Sequence, residues 1–216
     1  MPHDVPAVKV ANTRAYGAEV VTYERGREDR DAIGARLAAE RGLTLIKPFD
    51  DGRVMAGQGT VGLEIAEDLP EGVGEVLVCC GGGGLTGGVA TALEGVARVR
   101  PVEPEGYDDV ARSLASGGIE RNDSEAGGIC DAILTPSPGR LTFAVMSRLC
   151  GPGIVVTEEE ALRAMAAAWR HLRIVLEPGG AVALAAALYR EGPDCVAVAT
   201  GGNVDRAVFE RALATG

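Results

Sequence analysis

Four consecutive glycines follow a short hydrophobic run and precede a segment of helix-forming residues. The hydrophobic run is residues 76–78, the glycines are residues 81–84, and the helix-forming segment is residues 89–93. Glycines leave the backbone N–H groups free of side chains, and a helix N-terminus adds positive potential behind them. We therefore expect this loop to hold a phosphate group at the end of a buried strand.

The same loop also satisfies the fingerprint of dinucleotide-binding proteins. Gly82, Gly84 and Gly87 have the required spacing, and Glu103 ends the next expected strand at about the expected distance. Two features argue against a dinucleotide. The fingerprint falls in the middle of the chain, without a new strand order that builds from it. In addition, four glycines around one point suit a terminal monophosphate better than a pyrophosphate. A Rossmann NAD-binding oxidoreductase stays an alternative.

Hydrophobic patterning predicts strands and helices that alternate along the chain. Strands are expected at residues 18–23, 43–46, 76–78, 98–102 and 196–200. Helices are expected at residues 28–41, 60–69, 89–93, 141–149, 158–172 and 179–190. This alternation is typical of an α/β fold with a mostly parallel sheet and flanking helices, in which ligands bind at the carboxyl ends of the strands.

The helix expected at residues 158–172 has the clearest signals. Thr157 and Glu160 have the spacing of a capping box, which marks its start. Apolar residues then recur at helical spacing and predict a buried stripe. The stripe consists of Leu162, Met165, Trp169 and Leu172.

Composition and charge exclude several classes of partner. The 216 residues carry a net charge of −10, which repels nucleic-acid phosphates. No apolar run approaches the length of a membrane span, and the first residues lack the features of a signal peptide. The five cysteines are odd in number and show no metal-ligand spacing. We therefore expect reduced, buried thiols in a cytoplasmic protein with no nucleic-acid or membrane partner.

Six short motifs along the chain resemble, in the same order, those of the pyridoxal-phosphate (PLP)-dependent serine/threonine dehydratases. This family includes threonine dehydratase and has the tryptophan synthase β-like fold, also called fold type II. The resemblance covers essentially the whole chain. The motifs are residues 2–9, 57–60, 81–85, 102–104, 177–181 and 200–205.

The resemblance implies cofactor-binding roles within two of these motifs. The glycine loop of the family holds the PLP phosphate, a role that falls here on Gly81, Gly82, Gly83, Gly84 and Leu85. The family's hydroxyl that hydrogen-bonds the pyridine nitrogen matches Thr200, for which an ordinary strand residue is the alternative interpretation. A neutral hydroxyl leaves that nitrogen largely unprotonated, which tempers the electron sink of the ring.

The resemblance also implies substrate-side and metal positions. Glu177 matches an acid near the cofactor ring or substrate, with a solvated acid at a helix start as the alternative. Gly139 lines the pocket in this interpretation, although a plain turn explains it equally well. A divalent-cation site of some family members matches Glu103, Asp109 and the backbone carbonyl of Tyr107, whose oxygen atoms suit Mg²⁺ or Ca²⁺. Ordinary surface acids are the alternative in so acidic a chain.

The Schiff-base lysine of the family has no counterpart in this sequence. In the family it lies in an N-terminal segment, followed by a Ser-x-Gly-Asn-His motif, and neither Lys9 nor Lys47 matches that context. We therefore expect an N-terminally truncated chain. Residues 1–50 would be a remnant of the small domain and crossover, and residues 51–216 the large PLP-binding domain. We expect this chain alone to bind PLP weakly, to catalyse no dehydration, and to self-associate as a homo-oligomer, a dimer.

The parent enzyme implied by the resemblance converts L-threonine or L-serine to a 2-oxo acid and ammonia through PLP. Serine racemase and hydroxyaspartate dehydratase share the same motifs and remain alternatives. Each of these enzymes takes a small amino acid as its substrate. A non-catalytic remnant or interaction module is a further alternative for the short chain.

Overall fold

A four-stranded parallel sheet lies at the centre of the computed structural model, which describes residues 1–123, 127–190 and 194–215. The strands are β1 (Glu75–Cys79), β2 (Arg98–Pro104), β3 (Ile154–Val156) and β4 (Cys195–Ala197), in the spatial order β3-β2-β1-β4. Both inner strands, β1 and β2, therefore have a neighbour on each side. The expected α/β fold with a mostly parallel sheet and flanking helices is confirmed.

The helices precede, connect and follow the strands. Before the sheet lie α1 (Ala7–Ala15), α2 (Arg30–Arg41) and α3 (Gly52–Asp68). Between the strands and after them lie α4 (Gly84–Ala92), α5 (Asp109–Ser116), α6 (Arg140–Leu149), α7 (Glu158–Ala167), α8 (Pro178–Tyr189) and α9 (Arg206–Thr215). A short 3-10 helix (Asp131–Ile133) precedes α6, and a π turn (Ala168–Leu172) continues α7.

The side chains of β1 divide the core into two clusters, because successive residues of a strand point to opposite faces. Val76 and Val78 belong to a cluster with Val89 and the adjacent Leu93 at the α4 end. Leu77 belongs to the larger cluster, which contains side chains of α7, α8 and α9. All three β1 residues are fully buried. The sheet is thus covered by helices on both faces.

Two strands expected in the first fifty residues are wrong. Residues 18–23 and 43–46 form no regular strand, and the first of them contributes only an isolated parallel bridge between Pro2 and Tyr23. A strand needs a neighbour for its backbone groups, and neither segment joins the central sheet. The helix expected between them is confirmed as α2, which begins after the Asp29 cap and ends at Gly42 in the left-handed conformation.

The helix expected at residues 60–69 begins earlier, at Gly52. Gly57 and Gly59 therefore lie inside α3 and do not form an opening turn. Gly59 permits close contact with α4, since a Cβ there would lie 3.0 Å from the Gly88 carbonyl oxygen. The glycines that suggested a loop thus include one that serves helix packing.

Half of the buried stripe expected on the 158–172 helix is confirmed. The capping box of Thr157 and Glu160 is present, and Leu162 and Met165 are buried. Trp169 is 36% exposed and Leu172 is 59% exposed, because the π turn rotates the helix face after residue 167. Trp169 instead makes an edge-to-face contact with Phe209 of α9, with ring centroids 5.8 Å apart.

The last strand is shorter and less buried than expected. β4 ends at Ala197, and its residues are half-buried because it lies at an edge of the sheet. The other expected elements, β1, β2, α4, α6 and α8, are confirmed within a few residues of their predicted bounds. The elements missed by the patterning are α1, α5, β3 and α9.

Within the described ranges, no helix is both long enough and apolar enough to span a membrane. Cys79, Cys80, Cys130 and Cys150 form no disulfide. The first three are buried as expected, whereas Cys150 and Cys195 are half-buried.

Candidate functional site

The glycine loop connects the carboxyl end of β1 to the first residue of α4. Gly83 has a φ angle of 90°, in the left-handed region that favours glycine. A Cβ on Gly83 would lie 2.5 Å from the Met146 methyl carbon and 3.0 Å from the Thr142 Cβ. Both the backbone conformation and the lack of space therefore require glycine at this position.

The backbone amides of residues 81–85 have no hydrogen-bond acceptor within the described part of the chain. Their neighbours are paired: the Cys80 amide donates to the Val102 carbonyl at 2.9 Å, and the Gly87 amide donates to the Gly83 carbonyl at 2.8 Å. Buried amides are normally satisfied, so a run of free ones at a helix N-terminus indicates an anion site. We call residues 81–85 the cradle.

Gly139 and Thr142 hold the cradle from the side of α6. The Gly139 amide donates to the Gly82 carbonyl at 3.2 Å, and the Thr142 hydroxyl donates to the same oxygen at 2.6 Å. The Asp50 carboxylate in turn accepts from the Thr142 amide at 3.3 Å and from the Leu141 amide at 2.8 Å. The Gly82 carbonyl is thus turned toward α6 and is fixed there.

Phe49 forms a wall of the cradle that sequence reasoning missed. A Cβ on Gly82 would overlap the Phe49 ring, and a Cβ on Gly84 would lie 2.9 Å from the Phe49 Cβ. The glycines therefore do two things: they expose amides and they admit an aromatic side chain from before α3.

Thr200 follows β4, at the same side of the sheet as the cradle, where the carboxyl ends of the strands lie. Its hydroxyl oxygen is 3.3 Å from the Cys79 sulfur, and its amide donates to the Gly180 carbonyl at 3.4 Å. The side chain is exposed. A hydroxyl is thus available next to the residues that lead into the cradle.

Glu177 occupies the N-cap position of α8, without a side-chain capping hydrogen bond, and is 7% exposed. Its amide donates to the Gly201 carbonyl at 2.9 Å, which joins it to the segment after Thr200. Its carboxylate lies 2.7 Å from the Lys9 amine, which is also 2.9 Å from the Asp131 carboxylate. The interpretation of Glu177 as a solvated acid is therefore wrong.

Lys9 is held as an ammonium between these two acids. Burial acts to lower the pKa of Lys9, but the hydrogen bonds and charges of Glu177 and Asp131 outweigh it and raise the pKa. Sequence reasoning missed this contact, since Lys9 and Asp131 are 122 residues apart in the chain.

The acidic positions lie at the end of β2 and the start of α5. Glu103 is fully buried and accepts from the Val110 amide at 2.9 Å and the Ala111 amide at 2.7 Å. One Asp109 oxygen accepts from the Asn122 side chain at 2.6 Å, and the other is buried without a partner. Burial first, and the Asp109 charge second, raise the pKa of Glu103 well above its usual value. Burial likewise raises the pKa of Asp109 to about 6.

Tyr107 lies between the two acids in sequence and is buried, with its amide bonded to the Pro104 carbonyl at 3.0 Å. In residues 1–123, 127–190 and 194–215, no group of three or more His, Cys, Asp or Glu side chains is arranged to hold a metal ion. Two of the expected ligands are therefore carboxylates in a desolvated setting, and a third would have to be a backbone oxygen.

The structure thus places the expected positions in two groups. Residues 81–85, Gly139, Glu177 and Thr200 lie around the carboxyl ends of β1 and β4 and are linked by the contacts above. Glu103, Tyr107 and Asp109 form a second group beyond β2. A cradle of free amides, a hydroxyl and a buried acid can bind a phosphate-bearing ligand and fix its orientation.

Comparison with known proteins shows the family of the chain. Residues 1–201 match the model of the family described as "Pyridoxal-phosphate dependent enzyme". The chain is 38% identical to L-threonine ammonia-lyase of Geobacter sulfurreducens, over 99% of this chain and 55% of that protein. It is 36% identical to L-threo-3-hydroxyaspartate ammonia-lyase of Saccharomyces cerevisiae, over 95% of this chain and 64% of that protein.

Solved structures give the same result. The structure of maize serine racemase superposes with a TM-score of 0.87 at 33% sequence identity, covering 99% of this chain and 68% of the maize chain. The chain spans between roughly half and two thirds of the length of these relatives. It has their fold type II architecture, and the family implies pyridoxal phosphate as the cofactor. The chain therefore belongs to the pyridoxal-phosphate dependent enzymes, among relatives that are ammonia-lyases and racemases of amino acids.

Proposed function

We propose that this chain is the phosphate-binding part of a PLP-dependent ammonia-lyase that acts on L-threonine or L-serine. The observation that carries the proposal is the run of free amides at residues 81–85. A terminal phosphate would accept from these amides at the positive end of α4, so the residues present fit the phosphate of PLP. A sequence identity of 38% to an L-threonine ammonia-lyase, over 99% of this chain, supports this class of substrate.

The other residues of the site would orient the cofactor. The Thr200 hydroxyl would meet the pyridine nitrogen, while Gly139 would line the cofactor side of the pocket through its hold on Gly82. The Glu177 carboxylate, whose charge is balanced by Lys9, would form one wall of the site next to Gly201. When bound, PLP supplies an electron sink for the amino acid carbon that loses its proton. The protein supplies binding, orientation and exclusion of water.

Neither lysine of the chain offers an amine suited to covalent catalysis. A nucleophilic lysine needs a lowered pKa, whereas the pKa of Lys9 is raised by its two carboxylate partners. Lys47 is exposed, and its place in the sequence does not match that of the Schiff-base lysine in the family. We therefore propose that the polypeptide of 216 residues binds PLP weakly and does not deaminate amino acids by itself. Residues 1–50 would belong to a small domain and crossover, and residues 51–216 to a large PLP-binding domain.

A titration of the purified chain with PLP tests the phosphate site. We expect a change in PLP absorbance and fluorescence that saturates, and that inorganic phosphate reverses by competition. The fluorescence of NADH should not change when the chain is added, since the comparisons lend no support to a Rossmann oxidoreductase. Binding of NADH with displacement of phosphate would refute the proposal.

An activity assay tests the second part. With PLP and L-threonine, we expect no 2-oxobutanoate above the rate of free PLP. Formation at the rate of an enzyme would contradict the proposed inactivity of this polypeptide while supporting the substrate class. L-serine and L-threo-3-hydroxyaspartate are assayed in parallel, and racemisation of serine is followed separately. The relatives include an L-threonine ammonia-lyase, an L-threo-3-hydroxyaspartate ammonia-lyase and a serine racemase.

We also propose a divalent-cation site, for Mg²⁺ or Ca²⁺, at Glu103, Asp109 and the Tyr107 carbonyl. The unpartnered, buried Asp109 oxygen supports it, since a hard cation would satisfy that atom and relieve the repulsion between the acids. Either cation should raise the melting temperature by mass action in the wild type and not in Asp109→Asn. A rise of equal size in the variant would refute the site.

A homodimer in the cytoplasm completes the proposal. Apolar side chains including Leu63 and Leu141, which are 59% and 43% exposed, line a groove of about 330 Å³ between α3, α4 and α6. Such a surface supports self-association, and the thiols of Cys79, Cys80, Cys130 and Cys150, which form no disulfide, support a reducing compartment. Sedimentation that gives the mass of a single chain at all concentrations would refute the dimer and leave an interaction module for other partners as the alternative.

A further inference from the structure

Cys79 places its thiol beside the hydroxyl of Thr200. The Cys79 sulfur and the Thr200 hydroxyl oxygen are 3.3 Å apart, within hydrogen-bond distance for sulfur. The register of the sheet produces this contact, because Leu77 pairs with Ala197 and the Val198 amide donates to the Leu77 carbonyl at 3.0 Å. Cys79 is 8% exposed and Thr200 is exposed, so the sulfur lies beneath a hydroxyl that a ligand can reach.

The direction of this hydrogen bond decides what Thr200 can offer to a ligand. A hydroxyl has one proton to donate and two lone pairs to accept with. If Thr200 donates to the sulfur, only lone pairs remain for a second partner. An unprotonated pyridine nitrogen is itself an acceptor, so such a hydroxyl would not bind it. If the thiol donates, the Thr200 proton is free to point toward the ring.

The surroundings of Cys79 keep the sulfur protonated. Burial raises the pKa of the Cys79 thiol, and the charge of Glu177 acts in the same direction, against the opposing effect of the Thr200 hydrogen bond. A thiol is a weak donor and a weak acceptor, whereas a hydroxyl oxygen is a good acceptor. The S–H group therefore has a suitable acceptor at hand in Thr200.

We propose that Cys79 is a positioning residue, whose thiol donates to Thr200 and turns the Thr200 hydroxyl proton toward the pyridine nitrogen of the cofactor. The inference rests on the proposed function, since it deepens the role of Thr200. Cys79 is only 8% exposed and lies beneath Thr200. Its effect on binding must therefore pass through Thr200.

A double-mutant cycle on PLP affinity tests this dependence. We expect Cys79→Ala and Thr200→Ala each to weaken PLP binding about three- to tenfold, the size of one neutral hydrogen bond. The double variant should be no weaker than Thr200→Ala alone. Cys79→Ser should restore most of the affinity, because a serine hydroxyl can donate to Thr200. Cys150→Ala, which removes a half-buried thiol at the end of α6, serves as the control and should bind as the wild type does.

Infrared spectroscopy of the S–H stretch tests the direction of the bond without the cofactor. The difference between the wild-type and Cys79→Ala spectra isolates the band of this thiol among the five. If the thiol donates, Thr200→Ala should move the band to the higher frequency of a free S–H group. An unmoved band means that sulfur only accepts, and it overturns the inference whether or not PLP binds.

The outcomes separate this inference from the proposed function. A wild-type chain that binds PLP but gives additive effects in the cycle overturns the positioning role and leaves the proposed function standing. Equal losses in Cys79→Ala and Cys150→Ala overturn it in the same way, because they indicate a general packing effect. If the chain binds neither PLP nor inorganic phosphate, both the positioning role of Cys79 and the proposed function are overturned.

Discussion

The contact between α3 and α4 determines the position of the cradle, because α4 carries the cradle at its N-terminus. The two helices approach most closely at glycines. A Cβ on Gly88 would lie 2.8 Å from the Gly59 nitrogen and would also overlap the Met55 carbonyl oxygen. These are backbone atoms, which cannot turn aside as a side chain does. Gly57, two residues from Gly59 on α3, has nothing within 4 Å of its Cβ position.

We predict that alanine has opposite effects at these two helical glycines. At Gly57 it should stabilise the protein by about 0.5–1 kcal/mol, the helix propensity of alanine over glycine. At Gly88 the same gain is outweighed by crowding, which costs about 1–3 kcal/mol in a packed interior. The net result at Gly88 is a loss of up to about 2.5 kcal/mol and a shift of the α4 N-terminus.

Thermal unfolding followed by circular dichroism measures both effects. For a protein of this size, 1 kcal/mol corresponds to about 2–4 °C in melting temperature. Gly57→Ala should therefore melt about 1–4 °C above the wild type. Gly88→Ala should melt as much as about 10 °C below it and should also bind phosphate more weakly. A Gly88→Ala variant at least as stable as the wild type would refute the close approach of the helices, and so would a destabilised Gly57→Ala.

Three further substitutions test the site and its surroundings. Lys9→Met leaves Glu177 and Asp131 without their cation and should cost about 1–3 kcal/mol in urea unfolding, between the values for exposed and buried pairs; no loss would contradict the ion pairs. Gly83→Ala must adopt a positive φ against Met146 and should abolish phosphate binding measured by calorimetry, so retained affinity would contradict the cradle. Burial acts to raise the pKa of Glu160, but the hydrogen bonds from Thr157 and Arg190 outweigh it and hold this pKa below 4.5. The stabilising contribution of the Glu160 carboxylate is therefore complete above pH 4.5 and is lost as the pH falls through the lowered pKa. Glu160→Gln should flatten this part of the melting-temperature profile, and an unchanged slope would contradict the assignment.

The strand, loop and helix at residues 75–92 could be predicted from sequence because their signals are local. A fully apolar strand, a run of glycines and a following helix are each specified by neighbouring residues, and the structure joins them as expected. The two N-terminal strands could not be predicted correctly, since the same residues pair or stay unpaired according to which neighbours the sheet provides. Glycine at residues 57 and 59 carried a misleading signal, because a helix start and a close helix contact both favour it.

Contacts between distant segments were beyond the reach of the sequence. Nothing in the surroundings of Lys9 in the sequence indicates that it meets Asp131 and Glu177, and the raised pKa follows only from that meeting. The same holds for Phe49 against the glycines and for Asp50 at the start of α6. Motif resemblance located the cradle itself, but the residues that hold it in place are supplied by the fold.

Under the proposed function, these holding contacts would allow phosphate binding to be separated from catalysis. The Gly82 carbonyl is fixed by Gly139 and Thr142, and Asp50 fixes Thr142 in turn. A ligand that enters the cradle therefore does not have to order the loop, and little of its binding energy is lost to that purpose. Removal of an α-proton makes a different demand, since the group that accepts the proton must itself be unprotonated when it acts. Lys9 is bound as a cation between two carboxylates, so under the proposed function the cradle would recognise the cofactor phosphate while Lys9 supplies no base for the chemistry.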